Sequence, residues 1–150
     1  MKIVDASNMI SHKDIYERLK ESAPISMSES NFSDVTAVEP FSTAGIDEII
    51  KCSINFNRVS FRSLSLYSND FQKQVVFKDC TFDRFEIVAC EFYDILVFEN
   101  CIFKTRFKLV DSVFGGPAKF HKCDFLEGIN LFDKHDSFGS VEFKGGLYLF

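Results

Sequence analysis

No tryptophan and only three prolines occur among these 150 residues, and no apolar run approaches the length of a membrane span. The opening stretch MKIVDASNMISHKD places Asp5 where a signal peptide needs an unbroken apolar core, so a cytoplasmic location is expected. Close cysteine pairs of the CxxC type are missing as well. The five cysteines are therefore expected to be buried thiols in a reducing compartment, with no metal bound. Cationic surplus is lacking too. Residues 1–50 hold four Lys/Arg against nine Asp/Glu and residues 51–150 hold thirteen of each, which excludes a phosphate-binding groove and with it direct nucleic-acid binding. What is abundant is phenylalanine, nineteen copies, in place of the usual spread over Leu, Ile and Val. The length allows a single core of ordinary size.

The phenylalanines are periodic. Phe56/Phe61, Phe77/Phe82, Phe98/Phe103 and Phe120/Phe125 are pairs five residues apart, and successive pairs are separated by 21, 21 and 22 residues. Two residues before the second member stand Val59, Cys80, Cys101 and Cys123. Leu66, Ile87 and Leu109 follow at the same rhythm, then Phe71, Phe92 and Phe114, preceded at i−2 by Asn69, Cys90 and Ser112. Ile54, Val75, Leu96 and Ala118 hold the same place before the first column. A helix buries residues three and four apart, whereas i and i−2 on one side mark a short strand. Four short strands joined by tight corners close one coil per period, and coils stacked about 4.8 Å apart align Phe56, Phe77, Phe98 and Phe120 in one column and Phe61, Phe82, Phe103 and Phe125 in the next. The thiols Cys80, Cys101 and Cys123 complete this predicted core ladder.

The segments VFKDCTF, VFENCIF and KFHKCDF resemble the pentapeptide-repeat family, in which a large apolar residue follows a small one by two positions. The resemblance spans roughly residues 52–143. It implies an all-β, right-handed, quadrilateral parallel β-helix of four to five coils. The period of 21 or 22 exceeds the family's own, so one corner is expected to bulge, and Gly115-Gly116-Pro117 marks such a corner because Gly admits positive φ and Pro cannot join a ladder. Residues 1–51 read as an N-terminal cap with an irregular first coil, carrying one short helix over Asp14–Glu21 and a helical turn at 44–50. Residues 52–150 read as the β-helix. Past Phe125 the spacing loosens through Leu131, Phe138 and Phe143 to an apolar end at Phe150, where an open solenoid end must be capped or paired, and end-to-end homodimerisation is expected.

Catalytic chemistry finds no anchor. Gly-rich phosphate loops, nucleophile elbows and His-Glu metal pairs do not appear, and a narrow solenoid's flat walls lack a deep pocket. Cys80, Cys101 and Cys123 project in parallel and do not converge as metal ligands must. His121 follows inward Phe120 and should face solvent; His135, between Asp133 and Asp136, has no nucleophile fixed beside it, although a hidden enzyme around it is the third reading; His12 has no nameable partner. No enzyme activity, cofactor or membrane association is expected. The partner is expected to be another protein, met by the outer walls of an adaptor, inhibitor or immunity-type factor. Asp79, Asp83, Glu86, Glu91, Asp94 and Glu99 form the candidate docking surface, followed by a basic belt from Lys104 to Lys122. The alternative, implied by the family, is a DNA mimic that binds DNA gyrase or another DNA-binding enzyme. It requires a continuous acidic stripe, and four or five coils rise only about 20 to 24 Å.

Overall fold

The computed structural model describes residues 9–10, 17, 19, 29–33, 36–37, 41–46, 48–105, 107–128 and 141–150. Each coil lays down one strand on each of four all-parallel sheets, here called walls 1 to 4 in chain order, and the result is a right-handed parallel β-solenoid with four complete coils. Wall 1 stacks Glu29–Ser33, Ser53–Asn57, Val75–Lys78, Leu96–Glu99, Ala118–His121 and Leu147–Leu149. Wall 2 stacks Met9–Ile10, Thr36–Ala37, Ser60–Phe61, Thr81–Phe82, Ile102–Phe103 and Asp124–Phe125. Wall 3 holds Phe41–Ser42, Leu64–Tyr67, Phe85–Val88 and Lys108–Val110, and wall 4 holds Ile49–Ile50, Asp70–Phe71, Glu91–Phe92, Val113–Phe114 and Glu142–Phe143.

Register follows the sequence period. Phe56, Phe77, Phe98 and Phe120 are Cα partners on wall 1, as are Phe61, Phe82, Phe103 and Phe125 on wall 2. Their rings stack along the axis at 4.8 to 5.4 Å with planes within 11° of parallel, and neighbouring columns meet edge to face, as Phe77 meets Phe82 at 5.4 Å and 72°. The first contact is set by the strand spacing and the second by the ring quadrupole. Phe71, Phe92, Phe114 and Phe143 form a further stack on wall 4. One stack lies outside the columns expected from the sequence: Phe85 and Phe107, two residues before Ile87 and Leu109, lie 5.0 Å apart in the core and pack edge-on against Phe98.

The corners explain the period. After wall 1 come Arg58, Asp79, Asn100 and Lys122, and after wall 3 come Ser68, Ala89 and Asp111, all with φ between 46° and 58°. That left-handed turn redirects the chain while the N–H groups of Arg58, Ser68, Asp79, Ala89, Asn100 and Lys122 still donate to the next coil, as Asp79 N does to Glu99 O at 2.9 Å. The corner from wall 4 to wall 1 carries three residues on successive coils: Gln72-Lys73-Gln74, Tyr93-Asp94-Ile95 and Gly115-Gly116-Pro117. The bulge therefore falls where expected, but for a different reason. Neither Gly115 nor Gly116 has positive φ; a Cβ on Gly116 would overlap the backbone of Asp94 in the coil beneath. The next coil is one residue longer, and the addition falls between Phe103, which pairs with Phe82, and Phe107, which stacks on Phe85.

Toward the N-terminus, Glu29–Ser33, Thr36–Ala37, Phe41–Ser42 and Ile49–Ile50 pair in register with the coil that follows. The helical turn expected at 44–50 is not formed. Ala44 and Gly45 make a turn closed by Ile46 N donating to Thr43 O, with Gly45 at φ 84°, and Ile49–Ile50 joins wall 4, because pairing with Asp70–Phe71 outweighs local helix preference. Of the helix expected over Asp14–Glu21, Glu17 and Leu19 are described; both are helical and Leu19 is buried in the core. The remainder of that segment, with His12, Leu131, His135 and Phe138, lies outside the described residues.

Candidate interaction surface

The six carboxylates singled out in the sequence do not converge. They ring the coil: Glu99 on wall 1, Asp79 at the corner after it, Asp83 at the next corner, Glu86 on wall 3, Glu91 on wall 4 and Asp94 at the corner from wall 4 to wall 1. Residues three to five apart on a square coil occupy successive sides and corners. The basic belt lies one coil further along, so opposite charges meet across the rungs. Lys104 Nζ is 3.3 Å from Asp83 Oδ1, and Lys108 Nζ is 3.8 Å from Glu86 Oε2. Asp79 accepts a hydrogen bond from Asn100 Nδ2 at 2.6 Å, and Asp94 Oδ1 accepts one from Ile95 N. Among the described residues the two belts thus neutralise each other in part.

Two further acidic groups extend the negative charge of wall 4, Asp70 beside Glu91 and Glu48 beside Asp70. Asp70 is the Cα partner of Glu91, and its carboxyl is held above the ordinary carboxylate range first by partial burial and then by repulsion from Glu91 and Glu48. Glu91 also takes a hydrogen bond from Tyr93, which raises the Tyr93 hydroxyl pKa. The outward column of this wall runs Ile49, Asp70, Glu91, Val113, Glu142, so Val113 interrupts the acidic run.

Wall 1 is the broadest face. Its outward column runs Asn55, Val76, Val97, Lys119, Tyr148, beside a second column of Asn57, Lys78, Glu99 and His121. Val76 and Val97 are only half-buried. At one end Lys119 Nζ sits 5.7 Å above the Tyr148 ring, Phe150 stacks on Tyr148 at 6.4 Å, and His121 meets Phe150 edge-on at 5.6 Å. His121 thus lies on the outer face, as alternation predicted, but half-buried by an aromatic neighbour. Leu126, Leu149 and Phe150 are exposed at this end of the stack.

The thiols are core groups. Cys80 Sγ donates to Phe56 O and Lys78 O, Cys101 Sγ to Phe77 O and Glu99 O, and Cys123 Sγ to Phe98 O and His121 O. Neighbouring thiols also hydrogen-bond along the column. Those contacts lower the pKa of Cys80 and of Cys123 and raise that of Cys101, while burial pushes the Cys90 pKa up to about 11. Among the described residues no group of three His, Cys, Asp or Glu is placed to hold a metal, and no helix is long and apolar enough to cross a membrane.

Fold and surface together define a repeat β-solenoid with coils of about 21 residues. No family model, no curated protein and no solved structure matches the chain.

Proposed function

We propose that this protein is a non-catalytic binding module, a divergent member of the pentapeptide-repeat family whose rigid walls engage another protein as an adaptor, inhibitor or immunity-type factor. The observation that carries this reading is wall 1, where Val76 and Val97 point outward from a flat parallel sheet and lead to the exposed Tyr148. Outward apolar side chains flanked by Lys78, Glu99, Lys119 and His121 make an apolar centre with a polar rim, the composition of an interface. Tyr148 at one end supplies a residue type that dominates binding energy. Such a sheet reaches its binding shape before the partner arrives and loses little conformational entropy on contact.

The test compares wild type with Val97→Glu on wall 1 and Ile102→Glu on wall 2, each tagged and expressed at native level. A stoichiometric partner recovered with wild type and Ile102→Glu but lost with Val97→Glu supports the proposal; equal recovery with all three removes wall 1 from it. If the partner is a topoisomerase, the DNA-mimic alternative takes its place. Pairing of two copies through Leu126, Leu149 and Phe150 belongs to the same proposal, and sedimentation of Leu149→Glu against wild type tests it.

A further inference from the structure

Between walls 1 and 2, Cys80, Cys101 and Cys123 occupy the same place on three successive coils. Register holds them there from both sides, through Lys78, Glu99 and His121 before them and Thr81, Ile102 and Asp124 after them. Neighbouring Cα atoms in such a column stand about 4.8 Å apart, inside the span of about 4.4 to 6.8 Å that a disulfide bridges. Asp124 N donates to Cys101 O at 2.9 Å and Asn100 N to His121 O at 2.8 Å, so the backbones of the two coils are already tied around Cys101 and Cys123. Among the described residues wall 2 has no strand beyond Asp124–Phe125, and Cys123 is only half-buried where Cys80 and Cys101 are buried. The Cys101 thiol hydrogen-bonds to Cys123, and this contact above all holds the Cys123 pKa below its ordinary value. Cys80 is two coils from Cys123, about 9.6 Å by the same spacing, and out of bonding range. Cys90, before wall 4, and Cys52, before wall 1, belong to other columns.

We infer that Cys123 is a site of reversible oxidation by hydroperoxides, with Cys101 as the thiol that closes it into a disulfide between adjacent coils. The Cys123 thiolate attacks one oxygen of hydrogen peroxide: an S–O bond forms, the O–O bond breaks, and the departing hydroxide takes up a proton to become water. The Cys101 sulfur then attacks the sulfur of the Cys123 sulfenic acid. The S–S bond forms, the S–O bond breaks, and the hydroxide leaves with the Cys101 proton as a second water. The thiol pair gives up one electron pair and the peroxide accepts it. Because the two side chains project in parallel, their Cβ atoms start near the strand spacing of about 4.8 Å, wider than the usual disulfide range of about 3.5–4.5 Å. The bond therefore forms under tension, and a thiol reductant reopens it readily. The reaction needs no second protein and stands independently of the partner proposed for wall 1.

Treating the full chain with hydrogen peroxide under native conditions, followed by intact-mass measurement and peptide mapping, tests it. The expected product has lost the hydrogens of both thiols, yields a Cys101–Cys123 cross-linked peptide, and returns to free thiols with dithiothreitol. Cys101→Ser should lower the yield of disulfide about tenfold or more and leave Cys123 as a sulfenic acid that dimedone captures. Cys90→Ser, in another column, should leave the cross-link unchanged. Circular dichroism matching wild type shows that Cys101→Ser is folded, and the wild-type peptide map decides the matter by itself if it is not. A sulfenic acid that persists on wild-type Cys123, a cross-link to Cys80 or between two chains, or a disulfide yield undiminished by Cys101→Ser would overturn the assignment.

Discussion

Phe82 and Phe103 stand 21 residues apart in the chain and face each other with ring centroids 4.9 Å apart and planes 11° from parallel. The same displacement, one coil along the axis, relates Phe77 to Phe98 at 4.9 Å and Phe71 to Phe92 at 4.8 Å. A single sequence interval thereby becomes a single distance, because each parallel strand pairs in register with its predecessor and carries its ring with it.

Phe103 is 1% exposed and touches rings above, below and beside it. Phe103→Ala should cost about 3 to 5 kcal/mol in urea unfolding, the range for emptying an aromatic core site. Lys104→Ala, one residue on, loses an ion pair whose side chains are 54% and 49% exposed, and should cost less than about 1 kcal/mol. Equal costs would refute the inward and outward assignment.

Gly116 meets the backbone of Asp94 and not a movable side chain. Gly116→Ala must push two coils apart at the corner from wall 4 to wall 1, at about 1 to 3 kcal/mol, the usual scale of overpacking. Gly128→Ala, with open space around it but φ at 81°, should be destabilising through backbone strain alone. Amide exchange separates the two: the first variant should loosen protection of the Leu96 N–H, which donates to Pro117 O, and the second should not.

Asp70 should set an acid-range dependence of stability. Its carboxyl is raised above 3.8 in the fold by burial and by Glu91 and Glu48, so the folded state holds its proton more tightly than the unfolded chain does. The stabilisation from that group is complete below the unfolded value and is lost as pH rises through the folded value. Asp70→Asn should therefore raise the melting temperature relative to wild type at about pH 7 and show no such gain at about pH 3, where the native residue is already neutral. A gain of equal size at both pH values would exclude the electrostatic cause.

Thiol reactivity should divide the five cysteines. Cys123 is half-buried with a lowered pKa, whereas Cys52, Cys80, Cys90 and Cys101 are buried. A disulfide reagent should label Cys123 first in the native protein and the others only on unfolding, since attack needs an accessible thiolate. Cys101→Ser should be tolerated to within about 1 kcal/mol. A hydroxyl there has acceptors, since Phe77 O and Glu99 O are in place, and Ser112 in the equivalent position before wall 4 donates to Val110 O at 2.8 Å.

The stacks on walls 1, 2 and 4 were legible because a period-two strand and a constant coil length leave an imprint in residue order. Phe85 and Phe107 obey the same i−2 rule but put a large ring where the other i−2 positions carry small or aliphatic residues, so residue size does not mark them as inward. The charged surface was not legible. Asp79, Asp83, Glu86, Glu91, Asp94 and Glu99 are close in sequence and lie on successive sides of the coil, while Asp83 finds Lys104 and Asp70 finds Glu91, each 21 residues away.

By itself the sequence determined which side chains point inward, how long a coil is and where its corner widens, because these follow from local alternation and from the volume of phenylalanine. Only the tertiary structure decided which charges neutralise one another and which wall leaves valines and tyrosine uncovered. Those relations run between coils, across intervals that the chain bridges only by stacking, and stacking is set by strand pairing of the whole solenoid and not by any one segment.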